Sequence, residues 1–260
     1  MVRFGICTSA ENAPAVRRAG WDFVEERVQP TLQGELPDGE WHGLNRIRSS
    51  PIPIIAANAL VSASMKLVGP NADLAQLTIY MERVIRRSAQ VGIKTLVFGS
   101  GAARMVPDGF DRDAARNQLL AFIRMSAEIA AKHDVMIVAE HLNQGECNIM
   151  TSVAEAMEYV KEVNHPNYQC LVDAYHFWLE NEPLDSLRQA MPWIKHVHLA
   201  DVEGRSPCGE TGKNDYQSFF RVLKEGGYDG PISMESFGFN DFDAAGPRIL
   251  NFLSSQWSVA

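Results

Sequence analysis

No uninterrupted apolar stretch in the chain approaches the roughly 20 residues that a membrane-spanning helix needs, so no span is expected. The opening residues, Met1-Val2-Arg3-Phe4-Gly5-Ile6, lack a charged region followed by roughly 7–15 apolar residues, and a signal peptide is not expected. Cysteine is scarce and scattered. Cys7, Cys147, Cys170 and Cys208 form no CxxC pair and no short-range framework, which fits free thiols in a reducing compartment. These absences make the cytoplasm the expected location. Basic runs are missing as well: 24 Lys and Arg face 32 Asp and Glu, for a formal charge of −8. Proteins that live on phosphate backbones need clustered Lys and Arg, so neither a nucleic-acid nor a membrane partner is expected.

What is present is alternation. Short apolar runs are separated by longer amphipathic segments, the pattern of repeated βα units. Eight strands are predicted: Arg3–Cys7, Phe23–Val28, Ile52–Ala57, Thr95–Phe98, Val135–Ala139, Gln169–Val172, Ile194–Leu199 and Ile232–Met234. The clearest helices between them are Asp73–Val91, Asp113–His133, Val153–Val163, Tyr216–Glu225 and Asp241–Leu253. Eight such units close into a barrel or open into a doubly wound sheet. An open sheet usually carries a glycine-rich phosphate turn after its first strand. Here Thr8-Ser9-Ala10-Glu11-Asn12 holds no glycine, which favours the barrel. At 260 residues the chain also matches the roughly 250 of a (β/α)8 barrel, and residues 1–260 are read as one such domain. The longest irregular stretch, 29–51, is predicted to hold a short helix around Trp41–Ile47 and to overhang the barrel mouth.

Four residues of metal-binding type sit at or beside the ends of four successive late strands: Glu140, Asp173, His198 and Glu235. In a barrel all four point toward the axis at the C-terminal face, where barrel enzymes place their active sites. A single acid at a strand end more often caps a loop than binds anything. Four in consecutive units are harder to dismiss. Three carboxylates and one imidazole suit Mn2+, Mg2+ or Co2+ better than thiolate-loving metals, with Mn2+ first and Zn2+ left open.

The segments around these residues, Val138-Ala139-Glu140-His141-Leu142-Asn143, Leu171-Val172-Asp173-Ala174-Tyr175-His176, His196-Val197-His198-Leu199-Ala200-Asp201 and Gly227-Tyr228-Asp229-Gly230-Pro231-Ile232-Ser233-Met234-Glu235, resemble the xylose-isomerase-like barrel superfamily. The nearest branch is the tagatose 3-epimerase and hydroxypyruvate isomerase group. The match in register runs from about Val135 to Phe237; earlier, Asn58 and Leu67-Val68-Gly69-Pro70 also resemble that group. The resemblance implies that Glu140, Asp173, His198 and Glu235 hold one divalent ion and that Glu140 and Glu235 double as the acid–base pair. It implies a small sugar or keto-sugar substrate, isomerised or epimerised through an enediolate that the metal stabilises. It further assigns Glu146, His176, Arg205 and Asn58 to substrate binding. Arg205 falls one residue later than in the epimerases, and Lys213 is the alternative cation. A homo-oligomer is left open.

Other residues carry weaker expectations. Arg104, after Phe98-Gly99-Ser100-Gly101, is either a surface arginine or a substrate contact. One of Glu25 and Glu26 is expected to face the pocket, and His196 to pack below the metal as a hydrogen-bonded core residue. Trp21, Trp41 and Trp178 either stack on a sugar or fill the core. A lyase expelling a β-substituent from the same enediolate is the closest alternative function. A barrel that binds sugar without turnover is less well supported, because the ligand set is intact. A phosphodiesterase of the abasic-site type is disfavoured because no histidine lies between residues 43 and 132 to hold further metals.

Overall fold

In the computed structural model, which describes residues 2–260, eight parallel strands pair in chain order and close on themselves. They are β1 (Arg3–Cys7), β2 (Phe23–Arg27), β3 (Ile54–Asn58), β4 (Thr95–Phe98), β5 (Met136–Glu140), β6 (Tyr168–Asp173), β7 (Ile194–Leu199) and β8 (Pro231–Met234). The expected (β/α)8 barrel is therefore present. Each strand was foreseen to within a few residues. The differences matter, however, because β3, β5 and β6 run on to include Asn58, Glu140 and Asp173 as their last residues.

The principal helices span Leu74–Val91, Arg112–Ala131, Val153–Val163, Tyr216–Glu225 and Ala245–Val259. Four of them start where a side chain takes up free backbone N–H groups: Asp73, Asp111, Ser152 and Asp215 each accept from the first turn. The last helix begins at Ala245 rather than Asp241, whose carboxylate instead accepts the Ala244 N–H at 3.1 Å. The stretch 29–51 holds the short helix Gly43–Arg48, close to its expected place. Among the described residues, no helix is long and apolar enough to cross a membrane.

Strand side chains alternate between two faces, and the sheet accordingly divides two cores. The large one lies between strands and helices and takes residues such as Val24, Leu96, Ala139 and Val172. A small one, Val97, Val138 and Leu171, fills the barrel itself. Gly5 is needed in this interior, because a Cβ there would sit 2.2 Å from the Phe23 ring. Following the same inward faces upward leads from Val138 to Glu140, from Leu171 to Asp173, and from Phe23 to Glu25 and Arg27. The barrel floor is apolar and its upper layers are charged.

Candidate metal centre and active site

The upper layer brings Glu140, Asp173, His198 and Glu235 together. One donor atom from each lies within 4.8 Å of all the others. His198 Nδ1 is 3.2 Å from Glu140 Oε1 and 3.1 Å from Glu235 Oε2. Neighbouring donors around a six-coordinate cation with bonds of about 2.1–2.3 Å stand about 3 Å apart, so these separations fit a shared ion. The donor set, oxygen-rich with one nitrogen and no thiolate, fits a hard or borderline divalent cation.

Why Nδ1 faces the cluster is explained one layer below. Buried Glu25 takes His198 Nε2 at 2.9 Å on one oxygen, and His196 Nε2 and the Ser233 hydroxyl, both at 2.7 Å, on the other. His198 therefore directs Nε2–H downward and leaves Nδ1 as the ring nitrogen that a cation in the cluster would take. His196 is the packed, hydrogen-bonded histidine expected from sequence. Cys7, Glu25 and His198 form a second close group, but the Glu25 oxygens are already taken by these three donors.

Charges in the cluster influence one another. Burial raises the Glu140 carboxyl, with the Glu235 charge adding to the effect against the His198 hydrogen bond. Burial likewise lifts Asp173 to about 6, although Arg205 opposes it. For Glu235 burial acts upward too, but His198 and Arg205 outweigh it and bring the carboxyl down to about 2. Burial works against a charged His198, yet Glu25 and Glu235 hold it well above its ordinary value.

Around the cluster, Asn58 donates to Glu235 Oε1 at 2.7 Å. Arg205 donates to Asp173 Oδ2 at 2.9 Å and to Glu235 Oε2 at 2.5 Å, its guanidinium 4.5 Å from the Tyr175 ring centre. Gly204 and Arg205 are both left-handed, at φ 71° and 48°, in the tight turn that carries the Arg205 side chain to these carboxylates. Lys213 instead pairs with Glu203 in an exposed loop, away from the cluster. His176 accepts the Asn143 N–H on Nδ1 at 3.2 Å, so Nε2 carries its proton and faces Asp173 at 3.5 Å. Glu146 is held by Asn143 at 2.8 Å and lies 3.6 Å from Arg205. Of these groups Asn58, Glu146, Arg205 and Glu235 line a pocket of 460 Å³, together with Cys7, Ser9, Glu25, Arg46 and Phe237.

The family model described as a xylose isomerase-like TIM barrel matches residues 14–254. The chain belongs to that family. It is 28% identical over 239 residues to an L-ribulose 3-epimerase of Methylomonas sp. (strain DH-1), covering 91% of this chain and 80% of the relative. It is 27% identical over 230 residues to a D-psicose 3-epimerase of Agrobacterium fabrum, covering 85% and 77%. Among solved structures, a D-allulose 3-epimerase from Methylomonas sp. in complex with D-allulose matches with a TM-score of 0.82 at 22% identity, over 98% of this chain and 97% of that one. A likeness at that identity speaks for the fold.

Several residues of this xylose isomerase-like barrel do more, or other, than their sequence context suggested. Arg104 is neither on the surface nor in the pocket. It is fully buried, donating to the carbonyls of Phe98 at 2.9 Å and Glu140 at 2.7 Å, and so ties the ends of β4 and β5 together. Gly99 gives Glu140 its room, since a Cβ there would lie 2.1 Å from Glu140 Oε2. Glu26 pairs with Arg46, which also holds Glu11, and so joins the short helix Gly43–Arg48 to the barrel rim. The tryptophans are packing residues: Trp178 stands edge-on to Tyr216 at 4.9 Å, Trp41 donates to the Thr31 carbonyl, and Trp21 is buried. The aromatic at the pocket is Phe237, 65% exposed and 5.2 Å from the Arg205 guanidinium; its isolated position gave no periodic signal.

Proposed function

We propose that the chain is a divalent-cation-dependent epimerase or isomerase of a keto-sugar, working by proton removal beside a carbonyl. One observation carries this reading. Glu140 and Glu235 reach the same imidazole nitrogen from β5 and from just after β8, at 3.2 and 3.1 Å, and so flank one spot, with Glu235 also lining the pocket. Glu140, Asp173, His198 and Glu235 would hold a divalent cation there, Mn2+ the first candidate, and it would supply Lewis-acid stabilisation of charge on the substrate's carbonyl oxygen.

The chain's own residues supply the rest. The two glutamates reach one spot from different strands, the placement an acid–base pair needs when one face of a carbon loses a proton and the other gains one. Asn58 and Arg205 fix the direction of the Glu235 carboxylate. His176 Nε2–H and Glu146 are oriented through Asn143 and offer one donor and one acceptor to substrate hydroxyls. At 460 Å³ the pocket falls within the range of about 300–1,000 Å³ usual for small-molecule sites. The 3-epimerase relatives agree with this reading.

The test is an assay of ketoses, 3-keto-sugars and hydroxypyruvate in deuterated water with added Mn2+. Solvent deuterium is expected at one carbon of an otherwise intact sugar. Loss of a substituent instead would identify a lyase, and full activity in Glu140→Gln or Glu235→Gln would reject the acid–base assignment.

A further inference from the structure

Almost every charged side chain around the pocket has a partner in place. Glu25 holds two histidines, Glu26 and Arg46 hold each other, and Arg205 spans Asp173 and Glu235 with Glu146 close by. Arg27 is the exception. Among the described residues its guanidinium makes no ion pair and donates no hydrogen bond.

Its direction follows from the strand. Phe23, Glu25 and Arg27 share one face of β2, and Glu25 shows that this face looks inward, since it bonds His196, His198 and Ser233 across the barrel. Arg27 leaves on the same side one layer higher, where the burial of the strand ends. Its register neighbour is Asn58, which itself reaches Glu235. Arg27 thus stands at the mouth, beside the inner pocket. It also borders an outer groove of 600 Å³ over the ends of β2, β3 and β4. The two spaces share Arg27, Pro30 and Ala59, and no carboxylate lines the outer one.

We propose that the substrate carries an oxyanion, a phosphate ester or a carboxylate, at the end remote from its reacting carbons, and that Arg27 receives it. This rests on the pocket being a sugar site, as proposed above. A guanidinium matches either group with two parallel hydrogen bonds. The need for such a residue is plain from the surroundings: a chain of net charge −8 with acids crowding the pocket repels an anionic ligand unless a specific cation meets it. The outer groove provides the volume for the anionic group without displacing the residues that hold the reacting end.

The experiment uses the manganese-loaded protein and open-chain probes that lack a carbonyl and do not turn over: D-glucitol, D-glucitol 6-phosphate and D-gluconate. Calorimetry is expected to show one anion binding at least about tenfold tighter than the neutral alditol. That ratio should collapse toward one in Arg27→Gln and recover in part in Arg27→Lys. Which anion is preferred identifies the source of the charge. Equal binding of all three probes, or a preference that survives in Arg27→Gln, overturns the proposal. Failure of the epimerase reading looks different: no sugar gains solvent deuterium, while the Arg27-dependent preference among the probes persists.

Discussion

Glu25 decides which nitrogen His198 shows to the cluster, and it does so from one layer below, through contacts to His196, His198 and Ser233. Its two oxygens serve two imidazoles and a hydroxyl. In Glu25→Gln, a single carbonyl oxygen can accept from only one imidazole, and the amide offers a donor to the other. Part of the His198 population would then carry its proton on Nδ1, where a cation should sit. Mn2+ affinity, read from the electron paramagnetic resonance of the free ion, is expected to fall about 10–100-fold, with circular dichroism unchanged. An unaltered affinity would show that His198 needs no such partner. Gly99 constrains the cluster from the other side. In Gly99→Ala the new methyl group comes within 2.1 Å of Glu140 Oε2, and the next residue, Ser100, is already left-handed at φ 42°, so the backbone has little room to retreat. The carboxylate must leave. Turnover is expected to drop by at least about 100-fold, comparable to loss of a general base, while the protein still folds.

At the scale of elements, the segment after β7 depends on Asp201. Its buried carboxylate accepts from Gly209 N–H, the Thr211 N–H and hydroxyl, and the Tyr216 hydroxyl, while its backbone pairs with Ser206. Asp201 therefore anchors both ends of the turn that aims Arg205. Asp201→Asn removes the charge-assisted part of these bonds, each worth about 1.5–3 kcal/mol. The expected outcome is a raised KM together with faster proteolysis within residues 202–214; an unchanged KM would mean that the turn holds Arg205 by itself. The order of the strands, and their boundaries to within two residues, were readable because each is a short apolar run between turn-forming residues, and the convergence of Glu140, Asp173, His198 and Glu235 followed from their places at or beside strand ends. The network beneath them was not readable. The partners of Glu25 come from β7 and β8, 171 and 208 residues away, and no local spacing encodes such a pairing. Arg104 misled for a related reason: a polar context suggested exposure, whereas closure of β4 against β5 supplies carbonyls that satisfy a buried guanidinium.

For the whole molecule, the proposed ion links binding to stability, and pH sets how strongly. Asp173 has its pKa raised to about 6 in the folded chain from the ordinary 3.8, chiefly by burial, and Glu140 is raised in the same sense. A proton is thus held more tightly in the folded state than in the unfolded one. This contribution favours folding at low pH and is lost as the pH climbs through about 6. A cation needs the deprotonated carboxylate, so it competes with that same proton. Glu235, depressed to about 2, behaves oppositely, but its loss begins below the pH range of interest. Without divalent metal, the melting temperature should therefore decline between pH 5 and pH 7.5 as far as these groups determine it. With Mn2+ at 100 times its dissociation constant at pH 7.5, mass action adds about 2.7 kcal/mol, which for a domain of this size is a rise of about 5–10 °C. At pH 5, below the raised Asp173 pKa, displacing the proton offsets part of that gain. The manganese-induced rise should then shrink. Scanning calorimetry with and without Mn2+ at the two pH values measures this directly. A rise of equal size at both would show that the ion is not held by the buried carboxylates at the top of the barrel.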